Sequence, residues 1–356
     1  MATGIPNILK QRKFKKYPLQ FRADGTFRIL QMTDLHLSDP EMDDDPDKAK
    51  LLEKETYTYR GMEMCIEQTD PDLVVLTGDI LNSHWDEMTY DFMARIVRKI
   101  SAVFEKYNVP FAVVFGNHDS NLRLHREIQM CLFLESPLCY GSLNGGEMSG
   151  CGTYNLPILS KDGTRKAFNL WLFDSNDYPT DENGEILPGF DHVHADQIAW
   201  YEQTAAALRA ENGGVPLPAI LFQHIPVQQE WDLLTVADAP VPDTVGFTDK
   251  TGVYRYFPHP IAGRMRERPT PPAGEHREQF ESWKKTGDIL AAFFGHDHRN
   301  DFVVEKDGIL LVQTLCSGFF TYGIERGGRE IILHEDDPKH IETRSVESIA
   351  DPKYYR

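Results

Sequence analysis

Six short apolar runs recur along the chain, and each ends abruptly in a cluster of polar residues. "FRILQM" (27–32) leads to Thr33, Asp34, Leu35 and His36, and "DLVVL" (72–76) to Thr77, Gly78 and Asp79. "PFAVVF" (110–115) leads to Gly116, Asn117, His118 and Asp119, and "FNLWLF" (168–173) to Asp174, Ser175 and Asn176. "AILF" (219–222) leads to Gln223 and His224, and "ILAAFF" (289–294) to Gly295, His296, Asp297 and His298. Runs this apolar, without polar alternation, predict strands covered on both faces. Between them, "EMTYDFMARIVRKISAVFEKY" (87–107) and "ADQIAWYEQTAAALRAE" (195–211) carry apolar residues at helical spacing. Alternating strands and helices predict an α/β layered core. In such folds ligands bind at the carboxyl ends of strands, so six polar clusters at six strand ends are most simply explained as one site.

Charge narrows the partners. The formal net charge is −18, from 37 basic and 55 acidic residues. That opposes binding to a nucleic-acid polymer or an anionic membrane surface. No apolar run approaches the ~20 residues of a membrane span. The N-terminus reads "KQRKFKK" at 10–16 where a signal peptide would carry an apolar core. Five cysteines form no CxxC pair, which fits a reduced compartment and a cytoplasmic location.

The pattern divides the 356 residues into a basic N-terminal arm (1–20), one catalytic domain (21–335) and a polar C-terminal tail at the surface (336–356). Two insertions are expected in the domain. One lies near 38–55 and contains the charged loop "SDPEMDDDPDKAK" (38–50); the other spans 229–280 and contains "RERPTPPAGEH" (266–276). Long loops of this kind act as lids or specificity elements. After "DGILLVQTL" (307–315), the segments "SGFFTYG" and "REIILHE" are expected to be further strands of a second sheet.

The strand-end clusters contain Asp34, His36, Asp79, Asn117, His118, His224, His296 and His298. Carboxylate oxygen and imidazole nitrogen suit Zn, Mn, Fe and related divalent ions, and the lack of thiolate argues against a structural zinc site. Asp79 has two oxygens and can bridge two ions. In D-x-H and H-x-H at a strand end, residues i and i+2 point to the same side. A lone Asp after a strand is usually a cap or turn residue, and a lone His a satisfied polar group. The ordered set is what points to chemistry.

The order D-x-H, G-D, G-N-H-D, H, G-H-x-H resembles the calcineurin-like metallophosphoesterase superfamily, from Asp34 to His298. "PDLVVLTGD", "HIP", "GHDHRNDF" and the later "YG" resemble its small purple-acid-phosphatase-like branch in plants, fungi and bacteria. The resemblance implies an α/β fold in which a two-sheet β-sandwich is flanked by helices, with a two-metal centre on one edge. It places Asp34, His36, Asp79 and His298 on one metal, and Asp79, Asn117, His224 and His296 on the other. Asp297 becomes a turn or supporting residue. Where purple acid phosphatases carry the iron-binding Tyr three residues after the G-D aspartate, this chain has Asn82. The purple colour should therefore be absent, leaving two divalent ions among Mn, Zn, Fe(II) and Mg.

The chemistry implied is hydrolysis of phosphomonoesters by a metal-bridging hydroxide. His118 serves as general acid and Asp119 orients its ring. His84 and Asn82 are assigned to the substrate pocket, His192 and His194 to capping or the surface, and Asp174, Ser175 and Asn176 to structural hydrogen bonding. The substrate is a small phosphoester or a phosphoprotein. A phosphodiesterase, for example on cyclic nucleotides, carries the same motifs and is the alternative. A non-catalytic metal-binding scaffold is a further alternative, but scaffolds tend to lose ligands and here none is missing.

Overall fold

Parallel pairing of the apolar runs organises the molecule. The computed structural model describes residues 18–38, 47–82, 90–120, 126–144 and 147–348. The basic cluster at 10–16, most of the charged loop at 38–50 and His84 lie outside those residues. The chain runs β1 (Leu19–Gln20), β2 (Thr26–Met32), α1 (Lys48–Thr69), β3 (Leu73–Thr77), α2 (Tyr90–Tyr107), β4 (Phe111–Val114), the short α3 (Asn117–Ser120) and α4 (Arg126–Phe133). Next come β5 (Tyr154–Leu159), β6 (Lys166–Leu172), α5 (Ala195–Glu211), β7 (Ala219–Phe222), α6 (Gln229–Asp232), β8 (Thr235–Ala237), β9 (Val245–Thr248), β10 (Tyr254–Phe257) and β11 (Ala262–Arg264). It closes with α7 (Glu278–Thr286), β12 (Ile289–Phe294), β13 (Asp301–Lys306), β14 (Ile309–Gln313), β15 (Gly327–His334) and β16 (Glu342–Glu347).

Two large sheets result. A five-stranded sheet has the order β16-β15-β2-β3-β4, and an eight-stranded sheet the order β1-β5-β6-β7-β12-β14-β13-β11. β2, β3 and β4 are parallel to one another, as are β6, β7, β12 and β14. Successive side chains on a strand point to opposite faces, and the second sheet uses both. Leu170 and Leu172 of β6, Phe222 of β7 and Phe293 of β12 join a core shared with the five-stranded sheet, α1 and α2. Trp171, Leu221 and Phe294 face a second core formed with Tyr201 of α5 and Trp283 of α7. The result is the helix–sheet–sheet–helix layering expected from the sequence.

A buried polar seam locks the sheets together. Gln31 of β2 donates to Thr77 Oγ1 (3.0 Å) and to the Phe294 carbonyl (3.1 Å), and accepts from Thr314 Oγ1 (2.7 Å). Arg329 of β15 donates to Asp301 of β13, to Thr314 Oγ1 (3.2 Å) and to the Gln313 carbonyl (3.2 Å). The Arg329 and Asp301 side chains are only 3% and 5% exposed, so this is a desolvated ion pair.

Several expectations are corrected. The tail from 336 is not purely surface chain: β16 pairs antiparallel with β15 and forms the edge of the five-stranded sheet. Its sequence "ETRSVE" is polar because one face and one edge meet solvent. "SGFFTYG" forms no strand, whereas "REIILHE" falls largely in β15. The 229–280 insertion is not a loop. It carries the antiparallel sheet β8-β10-β9, and its β11 extends the large sheet by pairing with β13. The end of the charged loop is the first turn of α1, capped by Asp47, which accepts from the Lys50 amide.

Breaking a buried ion pair strands one charge, whereas replacing both partners by apolar groups does not. Asp301→Ala should therefore lower stability in urea by roughly 3–5 kcal/mol. The double variant Asp301→Leu/Arg329→Met should cost less than the single one, and an equal or larger loss would contradict this account of the seam.

Candidate metal and catalytic site

The parallel strands bring their carboxyl ends to one edge, and the turns beyond them are zipped together. Asp34 N donates to the Gly78 carbonyl (3.0 Å), His36 N to the Asp79 carbonyl (2.9 Å) and Leu37 N to the Ile80 carbonyl (2.9 Å). Gly295 N donates to the His224 carbonyl (3.1 Å), joining the turns after β12 and β7. The D-x-H and H-x-H pairs thus lie past the strands, so the i, i+2 argument for extended backbone does not apply to them. Asp34, His36, Asp79 and His296 instead have positive φ, at 53°, 44°, 49° and 76°. Left-handed backbone at non-glycine residues costs free energy and collects at functional sites.

These turns converge on two overlapping groups. Asp34, His36, Asp79 and His298 each offer one ligand atom within 4.8 Å of the others, and so do Asp79, His224 and His296. All six are buried, and Asp79 belongs to both groups. The glycines of the motifs permit the approach. A Cβ on Gly116 would lie 2.3 Å from Asp79 Oδ1, and one on Gly78 would lie 2.6 Å from Gly116 N.

Each carboxylate is anchored by one oxygen and presents the other. Asp34 Oδ2 accepts from Thr33 Oγ1 (2.8 Å) and His296 N (3.1 Å), while Oδ1 lies 3.1 Å from His298 Nε2 without hydrogen-bonding geometry. Asp79 Oδ1 accepts from His118 N (2.8 Å), leaving Oδ2 at 3.3 Å from His224 Nε2 and 3.5 Å from His36 Nε2. His224 Nδ1 donates to the Thr77 carbonyl (2.7 Å), and its buried Nε2 makes no hydrogen bond. Fixing the far ring nitrogen in this way is how metal-ligating imidazoles are oriented. Thr321 does the same for His298 Nδ1 at 2.8 Å. Asn117 donates through Nδ2 to the Tyr178 hydroxyl (3.0 Å), and its buried Oδ1 accepts nothing. Unpartnered Asp34 Oδ1, Asn117 Oδ1 and His224 Nε2 fit a divalent cation, since a buried acceptor without a partner is otherwise costly.

The crowded buried groups shift one another's pKa values. Burial raises the Asp34 and Asp79 carboxyls, but the nearby imidazoles outweigh it and hold both below the usual range. Burial also disfavours charge on His224, yet Asp79 and Asp34 push it up to about 10. His296, dominated by burial, is pushed down to about 3 and stays neutral, as a metal ligand must.

His118 is half-buried with its ring centroid 5.1 Å from that of His36, and burial lowers its pKa. Asp119 does not orient it. The Asp119 carboxylate accepts from Gly116 N (2.9 Å), Ile80 N (3.0 Å) and Leu81 N (3.3 Å), stapling the turn after β4 to the turn after β3. Consecutive residues of the helical turn α3 point in different directions, so neighbouring side chains do not face each other. Asn82 is buried, and its backbone N–H donates to the Leu37 carbonyl (2.9 Å). Asp297 is a supporting residue, accepting from Thr270 Oγ1 and N. Asp174, Ser175 and Asn176 are structural: Asp174 accepts from Arg126, Cys151 N and Asn176 N, and Ser175 Oγ accepts from Ile225 N.

The sequence reading passed over Thr33, Thr77, Thr321, Tyr178 and Phe190. Thr33 and Thr77 adjoin the D-x-H and G-D motifs, a signal that was available. Phe190, whose ring meets His296 edge-on at 4.2 Å, comes from a loop with none. Tyr322 of "SGFFTYG" lies over His298 at 4.2 Å and is 57% exposed, forming an aromatic wall.

The family described as calcineurin-like phosphoesterase matches residues 27–300. The chain is 26% identical over 339 residues to the Arabidopsis thaliana protein named "Probable inactive purple acid phosphatase 28", covering 89% of this chain and 77% of that one. It is 25% identical over 311 residues to "Phosphatase DCR2" of Saccharomyces cerevisiae, covering 84% of this chain and 49% of that one. A dimetal phosphatase from Danio rerio shares the fold, with a TM-score of 0.56 at 14% identity, covering 91% of this chain and 96% of that one.

If Gly116 is needed for the approach of Asp79, Gly116→Ala should weaken divalent-metal binding by at least roughly 10–100-fold, the loss typical of displaced ligand support. Metal content after dialysis, beside unchanged far-ultraviolet circular dichroism, measures it. Native-like metal retention would refute the packing argument.

Proposed function

Because the chain belongs to the calcineurin-like phosphoesterase family, we propose that it is a dinuclear-metal phosphohydrolase acting on phosphomonoesters. The observation that carries this is the pair of buried ligand groups sharing Asp79, with Asn117 Oδ1 unpartnered beside them. Asp34, His36, Asp79 and His298 would hold one ion, and Asp79, Asn117, His224 and His296 the other. When bound, such ions supply Lewis acidity and an ionised water near neutral pH.

The remaining work belongs to this chain's own side chains. His118 is the one half-buried histidine in G-N-H-D, and its backbone amide is fixed on Asp79 Oδ1. In this reading its ring donates a proton to the leaving oxygen of the ester. Asp119 is a positioning residue that holds the turn carrying Asn117 and His118. Tyr322 and His118 border the substrate, while the anchored Asp34 and Asp79 fix the ligand cluster before substrate arrives. The word "inactive" in the name of an Arabidopsis relative belongs to that protein; here every motif position holds a residue able to ligate. Asn82 in place of the iron-binding Tyr favours Mn, Zn, Fe(II) or Mg over a ferric pair. Small phosphoesters or phosphoproteins are the substrate class and the cytoplasm the proposed location, in keeping with the net charge of −18 and the five free cysteines.

The test is chelator stripping, refilling with Mn, Zn, Fe(II) or Mg, and assay of p-nitrophenyl phosphate, an alkyl phosphomonoester and bis-p-nitrophenyl phosphate. Metal-dependent monoester cleavage is expected. Diester preference would move the protein to the phosphodiesterases, and no turnover with two ions bound would leave a scaffold. His118→Ala should lower kcat for the alkyl ester by ~10²–10⁴-fold. The loss should be smaller for p-nitrophenyl phosphate, whose leaving group needs no proton; equal losses would remove His118 from the role of acid.

A further inference from the structure

A second cluster of ligating side chains lies beside the first. Phe190, packed on His296, also accepts a hydrogen bond at its carbonyl from Ala273 N (2.9 Å). The next residues turn away toward α5. Among them Asp191, His192 and His194 each offer one ligand atom within 4.8 Å of the others. Asp191 Oδ1 lies 2.9 Å from His192 Nδ1, and Oδ2 lies 3.0 Å from His194 Nε2.

Proton accounting shows what this arrangement needs. Ser149 Oγ donates to Asp196 Oδ2 (2.9 Å), a carboxylate that can only accept. A hydroxyl has one proton, so at its other neighbour, His194 Nδ1 (3.1 Å), Ser149 Oγ accepts. His194 therefore carries its proton on Nδ1. In the neutral ring, Nε2 then points a lone pair at the lone pairs of Asp191 Oδ2. A positive charge must lie between them, either a second proton or a metal ion.

Two further features suit an ion in that place. The rings of His192 and His276 are stacked at 3.4 Å with planes 15° apart. The stack fixes the plane of the His192 ring. Ser149 on the far nitrogen of His194 is also the outer partner that metal-ligating histidines have. Ligands held ~2.0–2.2 Å from a tetrahedral zinc lie roughly 3.3–3.6 Å apart, within reach of three atoms that all lie within 4.8 Å of one another.

We propose that Asp191, His192 and His194 form a third, mononuclear metal site. Two imidazoles and one carboxylate select a borderline divalent ion such as zinc over calcium or magnesium. The His192 and His194 side chains are 30% and 38% exposed, so solvent or a substrate group completes the coordination. Through Phe190 and the His276 stack, an ion here braces both loops beside His296. This inference does not depend on the phosphatase reading.

The test compares zinc per chain, after zinc loading and desalting, in the full-length protein and in a His192→Gln/His194→Asn variant. Asn at 194 preserves a good cap for α5. The variant should hold one equivalent fewer. Adding Asp79→Asn to both proteins should remove zinc from the first cluster and leave that difference of one. Ser149→Ala keeps all three ligands, and should weaken the weakest zinc site by ~10–100-fold in titration. Equal zinc in native protein and double variant, or an unchanged titration in Ser149→Ala, would overturn the site. If the double variant fails to fold, the Ser149→Ala titration decides alone.

Discussion

Two carboxylates, Asp34 and Asp79, are wholly buried where the two sheets meet, and the rest of the structure answers to that constraint. An ionised carboxylate taken out of water must be compensated locally. Here the compensation is divided. One oxygen of each group accepts from backbone or threonine donors, and the other faces imidazole nitrogens. The arrangement is incomplete without positive charge at its centre, which is why the site is built for cations although the chain as a whole carries −18.

Holding those groups in place requires both rigidity and strain. Four residues of the candidate site sit in left-handed backbone, a conformation that relaxes unless its surroundings forbid it. The zipped turns after β2 and β3, the Asp119 staple and the Gln31–Arg329 seam supply that resistance. Core packing and site geometry are therefore linked: the seam that holds one sheet to the other also sets the relative position of strand ends contributed by both.

How much of this was legible follows from where the information lies. Asp34, Asp79, His224 and His298 could be found because each follows an apolar run in a parallel sheet, and parallel strands deliver their ends to one place. The layered fold followed from the same runs. β16 was missed because an edge strand with one solvated face has the composition of a tail. The small sheet β8-β10-β9 was missed because its short strands lie among Pro and Gly. The role of Asp119 was misread because adjacency in G-N-H-D suggested a contact that a helical turn forbids. Thr321 and Phe190 meet the site through tertiary folding alone, and no local pattern marks them.

The segment 266–276 shows how an insertion that reads as a lid in sequence can be integral in structure. Thr270 is bonded to Asp297, between His296 and His298; Ala273 N holds Phe190 against His296; and Gln228 donates to the Gly274 carbonyl. Its prolines fix φ and remove donors, so the segment keeps its path with few backbone bonds of its own. A flexible lid would place the rim by fluctuation, whereas this one is fastened at several points to residues that adjoin the ligands. Variation in its sequence would thus alter what reaches the candidate site through the walls it positions, leaving the buried Asp and His cluster itself unchanged.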